Sequence, residues 1–143
     1  MTLKTLLNEI SKKAIQQKCI NYSMASADIY MLNTKNIDGY PVLFTSPTGN
    51  HGVSMNSTSY ELTLYYFDRL LEDNSNDIDV LSTAIEQLKN VIKHIESIDG
   101  VLRVSEDYSI TNFVETEAFD DRIAGAYTTI VVEVVNDTIC AVE

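Results

Sequence analysis

A chain of 143 residues that is 45% hydrophobic, with five glycines and two prolines, has the composition of a globular domain and the length for one core. Ten Lys and Arg against twenty-one Asp and Glu give a formal net charge of −11, which argues against sequence-specific DNA binding or adhesion to anionic membranes. The first seventeen residues mix Lys4, Glu9, Lys12 and Lys13 among apolar side chains, unlike a signal peptide, and no run has membrane-spanning length. Cys19 and Cys140, far apart and without a secretion signal, read as thiols in a reducing compartment.

Leu3, Leu6, Leu7, Ile10 and Ala14 recur at steps of three and four, predicting an amphipathic helix over about residues 2–18. An extended run from Ala25 to Asn33 and another from Tyr40 to Thr45, separated by the turn residues Asn36 to Gly39, predict a hairpin. The segment Ser46, Pro47, Thr48, Gly49, Asn50, His51, Gly52, Val53, Ser54, Met55, Asn56 and on to Ser59 is too polar to bury and too long for a tight turn. Loops of that length in a small domain are usually functional or disordered, so it is expected to be a polar arm. Tyr60, Leu62, Leu64 and Tyr66 then alternate with Glu61, Thr63, Tyr65 and Phe67, the period of a strand that is half-wet at its start and buried on both sides at its end.

After the acidic stretch Glu72 to Asp79, Asn76 or Asp77 can cap a helix in which Ile78, Leu81, Ile85, Leu88, Ile92 and Ile95 form the apolar stripe. Asp99-Gly100 ends it. Strands near Val101–Val104 and Ser109–Thr116 lead to the β-branched run Ala126–Val135. The order α-β-β-β-α-β-β-β predicts an α+β domain, with a mainly antiparallel sheet and both helices on one face.

The sequence carries few signals of catalytic or metal chemistry. Asp73, Ser75, Asp77 and Asp79 have the spacing of a calcium loop, but Ile78 stands where Gly is needed and Ala84 where a bidentate Glu is needed. A solvated acidic loop with a helix cap is the better reading. His51 lies in the polar arm and His94 on the outer side of the second helix, which does not favour a joint site. No Gly-Lys-Ser or Gly-Lys-Thr follows Gly49, so a phosphate loop is excluded. Asp120 and Asp121 could pair as catalytic carboxylates only if a turn overrode the strand alternation that sends neighbours to opposite faces. The aromatic run Tyr65-Tyr66-Phe67 has no interleaved Lys or Arg and reads as core rather than a base-stacking platform. No enzyme, metal or cofactor is expected.

The run Tyr40-Pro41-Val42-Leu43-Phe44, the polar arm after it, Leu62 to Asn76 leading into the second helix, and Asp121-Arg122-Ile123-Ala124-Gly125-Ala126-Tyr127 entering the last strand together carry a resemblance. The chain resembles, over almost its whole length, the tail-terminator and tail-completion proteins of long-tailed phages, and more closely the small ring proteins of crAss-like phages. The resemblance implies assembly rather than catalysis: a non-enzymatic homo-oligomeric ring, six- or twelve-fold with twelve favoured, stacked on portal, connector or tail proteins in the virion neck or tail. DNA would pass through it without stable binding. On this reading the arm from Ser46 to Asn56 is the oligomer interface, and Glu72, Asp73, Asp77 and Asp79 are candidates for the channel wall. The competing expectations are a small intracellular adaptor or inhibitor of a host protein, and a small hydrolase with an unrecognised site.

Overall fold

A computed structural model describes residues 1–17, 20–28, 39–71, 75–116 and 122–136. Its elements in chain order are α1 (Leu3–Gln16), β1 (Tyr22–Ala25), β2 (Val42–Ser46), β3 (Gly52–Val53), β4 (Ser57–Arg69), α2 (Asp77–Glu96), β5 (Val101–Val104), β6 (Ile110–Glu115) and β7 (Ile123–Val135). The class is α+β, as the sequence predicts, with one strand more than expected because β3 forms inside the polar arm.

β4 and β7 are the spine. Each has thirteen residues, and they pair antiparallel along their full length from Ser57↔Val135 to Arg69↔Ile123. β2 joins β4 on one side; β5 and β6 follow one another along the far side of β7, giving the path β1-β2-β4-β7-β5. Among the described residues every strand pairing is antiparallel except β1 with β2.

Strand alternation divides the spine's side chains between two faces. Leu62, Leu64 and Tyr66 of β4 and Ala126, Ile130, Val132 and Val134 of β7 face the helices, where they meet Leu6, Ile10 and Ala14 of α1 and Ala84, Leu88, Val91, Ile92 and Ile95 of α2. Both helices therefore pack on one face. α1 starts on Thr2, whose hydroxyl accepts from the Thr5 N–H at 3.1 Å, the expected N-cap arrangement.

The opposite face holds Val42, Phe44, Phe67 and Ile123 with Tyr40, Tyr65 and Phe113. Gly125 stands between Phe67 and Phe113 in the register, and a Cβ there would fall 1.9 Å from the Tyr66 carbonyl oxygen. The absent side chain lets the strands approach, and the flanking rings, 6.4 Å apart and edge to face, fill the space above it.

Three expectations are corrected. The hairpin between 25–33 and 40–45 does not form, because β2 is paired on one side by β4 and on the other by β1, which runs parallel to it with Tyr22 opposite Val42. Residues 29–38, the middle of that expected strand and turn, lie outside the described residues. On α2 the buried stripe begins with Val80 and Ala84, whereas Ile78 is 70% exposed and Leu81 and Ile85 are half-buried. Asn76 occupies the N-cap position without capping. Its Oδ1 accepts from the Leu71 N–H at 2.9 Å and its Nδ2 donates to the Arg69 carbonyl at 3.2 Å, so it fixes the exit from β4 instead.

Candidate assembly site

The arm is a structured hairpin extension of the sheet, and its limits differ from the expected ones. Ser46 is buried and ends β2, while Ser57 to Ser59 already belong to β4, so the arm proper is Pro47–Asn56. Its base is tied down by the Ser46 and Thr48 hydroxyls, 3.0 Å apart. At Gly49 the backbone passes so close to β4 that a Cβ would lie 2.5 Å from the Glu61 Cβ. His51, expected to be a plain loop residue, is a strut: its Nδ1 accepts the Glu61 N–H at 3.3 Å, and its ring meets Tyr60 edge to face at 5.3 Å. That bond assigns the ring proton to Nε2.

β3 then pairs with the start of β4, Gly52 opposite Ser59 and Val53 opposite Thr58. The connecting turn closes with the Ser54 N–H donating to the Ser57 carbonyl at 2.9 Å, and Ser54 Oγ donating to the same oxygen at 3.0 Å. Asn136, just past β7, holds the turn from the other side. Its Nδ2 donates to the Ser54 and Met55 carbonyls at 3.0 Å each, its backbone N–H to Asn56 at 3.1 Å, and its Oδ1 accepts from Thr58 Oγ1 at 2.6 Å. Sequence reasoning missed this residue. An Asn directly after a strand has the right chemistry for bonding nearby backbone, but nothing in linear order ties it to residues eighty positions earlier.

With its backbone fixed, the arm presents a bare apolar tip: Val53 is 81% and Met55 92% exposed. From Gly39 to Tyr60 the chain carries no Asp, Glu, Lys or Arg, within a molecule whose formal charge is −11.

The acidic candidates lie at the other end of β4. Glu72 and Asp73 are outside the described residues, as are Asp120, Asp121, Cys19, Cys140 and Lys18. Asp77 and Asp79 occupy the first turn of α2, where their charge complements the helix dipole, and Asp77 Oδ1 accepts from the Ile78 N–H at 2.6 Å. Asp79 shares a shallow hollow with Asp68, a residue the sequence reading did not single out, together with Tyr66, Asn76 and Thr83.

His94 is far from any partnership with His51 in role: its Nδ1 lies 2.7 Å from the Asn90 carbonyl of its own helix and 3.2 Å from Gln17 Nε2 at the end of α1. Of the basic residues on α1, Lys12 pairs with Glu9 at 3.2 Å. Among the described residues no three His, Cys, Asp or Glu side chains are grouped as metal ligands, and no helix is long and apolar enough to cross a membrane.

The fold and arm thus define a small α+β domain in which, among the described residues, the most exposed apolar side chains sit on a braced hairpin. No protein-family model matches the chain, and no curated protein is significantly similar to it.

Proposed function

We propose that the protein is a structural ring subunit of a phage head-to-tail connector or tail, assembled through its arm and lining a passage for DNA. The observation that carries this reading is the contrast between the arm's braced backbone and its bare tip. Ordering a hairpin costs conformational entropy, roughly 1–2 kcal/mol per residue, and Val53 and Met55 recover little of it by burial within their own chain. An exposed apolar tip held rigid by Asn136, His51 and β4 is a preformed contact, because its entropy is already lost before a partner arrives.

The charge distribution supports the same reading. Copies of a chain at −11 repel one another, and the uncharged stretch from Gly39 to Tyr60 is where they can approach with least repulsion. The acidic residues at the start of α2 would suit a wall along which a polyanion slides, and neighbouring portal, connector or tail proteins would complete the stack. Size-exclusion chromatography with light scattering tests the reading. A ring gives a mass of six or twelve times the 16.0 kDa chain as concentration rises. A monomer at every concentration, with co-purification of one host protein, would favour the adaptor instead.

A further inference from the structure

We infer that the arm tip of one copy, Val53 and Met55, seats on the outward row of β7 in the next copy, around Tyr127, Val131 and Val135. The inference rests on the ring reading and names the surface that receives the arm.

That row has unusual exposure for its position. β7 is paired with β4 along its full length on one side and with β5 and β6 on the other, yet Tyr127, Val131 and Val135 are 37%, 40% and 38% exposed on the face away from α1 and α2. These three side chains alternate along the row with Thr129 and Glu133, and exposed apolar side chains grouped on one face of a sheet, rimmed by polar ones, commonly mark contact surfaces. Beside Val131 lies a hollow whose rim includes Ser59, Arg103, Glu106, Asp107 and Glu133. Arg103 and Glu133 are paired at 3.5 Å, so the remaining rim charge is negative. An acidic surface of a second copy is repelled there, whereas the uncharged tip is not. Methionine suits such a seat, because its unbranched, polarisable side chain adapts to an irregular hollow.

The tip cannot cover its own row. β3 lies in the plane of the sheet through its pairing with β4, where Val53, opposite Thr58, falls in the row that faces the helices and so away from the outward row of its own β7, and Asn136 pins the turn that carries Met55. The contact must therefore be made between copies, and the two patches differ. A patch meeting a different patch is a heterologous interface, which repeats by rotation and closes into a ring when the rotation divides a full turn.

Site-directed cross-linking tests this. In a Cys19→Ser, Cys140→Ser background, Met55→Cys and Val131→Cys are made as separate proteins, mixed and mildly oxidised, with Lys89→Cys on α2 replacing Val131→Cys as the control. The expected result is a covalent heterodimer from the first mixture at several times the control yield, and a ladder of multimers when Met55→Cys and Val131→Cys share one chain. Yields equal to the control in a protein that light scattering shows to be oligomeric would overturn the docking site and leave the ring reading standing. A protein that is monomeric throughout would overturn both. If the background variant melts differently from wild type, a benzophenone amino acid at position 55 of the otherwise native chain replaces the thiols. Mass spectrometry must then find its adducts on β7 of another copy, and adducts found only on other elements would overturn the proposal.

Discussion

The two ends of the β4–β7 spine are built from opposite materials. One end carries β3 and its turn, without formal charge, braced by Asn136 and tipped with Val53 and Met55. The other end leads through Arg69 and Asn76 into the first turn of α2, with Asp68, Asp77 and Asp79 close by. Thirteen residues at about 3.4 Å each put the ends of β4 roughly 40 Å apart. That is several Debye lengths at physiological salt, so the acids barely influence what approaches the arm. On the proposed ring reading, the difference teaches how one strongly acidic chain would both repel a polyanion and attract its own copies: the two roles would fall at separate ends of one ribbon.

The largest expected effect comes from damaging the ribbon that both ends share. Gly125→Ala places a methyl where the Tyr66 carbonyl oxygen already sits, so β4 and β7 must separate. Strain of this kind is among the few mechanisms that destabilise by more than about 3 kcal/mol, and chemical denaturation should show a loss of that order or failure to fold. Leu88→Ala, a fully buried position on the helix face, gives a scale for comparison at about 2–5 kcal/mol. If Gly125→Ala proved milder than Leu88→Ala, the close approach of the strands would not be the constraint the register implies.

A smaller effect is expected at the arm's brace. Asn136→Ala removes two donated bonds to the turn and one accepted from Thr58 but leaves the backbone bond to Asn56. Stability should fall by about 1–2 kcal/mol. The informative readout is hydrogen exchange, which should quicken at Ser54 and Gly52 and stay unchanged in α2. Acceleration spread evenly over the molecule would mean that the arm is not a separable unit.

The smallest effect on the fold, and a qualitative one on binding, concerns the acidic end. Reversing Glu72, Asp73, Asp77 and Asp79 to Lys flips four charges, taking the net charge from −11 to −3, and opposes the α2 dipole, so the variant should melt slightly lower. Wild type should give no electrophoretic shift with duplex DNA at about 150 mM salt, and the reversed variant a shift that weakens as salt rises. A wild-type shift at micromolar protein would reveal a concentrated basic surface and end the sliding-channel argument.

Much of this frame was legible in the sequence. α1, α2 and β4 are long and periodic, so period separates helix from strand there, and β7 is marked instead by its β-branched run. The α2 stripe was misplaced at its start because large residues dominate a periodicity reading, and Ile78 outweighs Val80 and Ala84 although only the latter two are buried. A small side chain such as Ala84 marks where the helix comes close to the sheet, which residue size in isolation does not report.

The sequence marks the arm as a segment but not as structure. The arm is held by bonds from outside the segment, such as Asn136 to Met55 and Glu61 to His51, which local pattern does not show. The parallel pairing of β1 with β2 is hidden for a related reason: proximity in sequence favours a hairpin, whereas both edges of β2 are occupied, one by β4 and the other by β1. Val53 and Met55 fall within the arm by sequence, but their exposure at its tip follows only from the turn.

The central claim is that the tip joins copies, and the most direct measurement is the solution mass of wild type beside a Val53→Asp, Met55→Asp variant, by light scattering over a range of concentrations. Both side chains are exposed, so the variant should keep the wild-type melting curve, within about 0.5 kcal/mol. The account predicts that wild type reaches a closed oligomer and that the variant stays at 16.0 kDa under the same conditions. A variant that assembles as wild type does would contradict it, and the contact between copies would have to be sought elsewhere on the molecule.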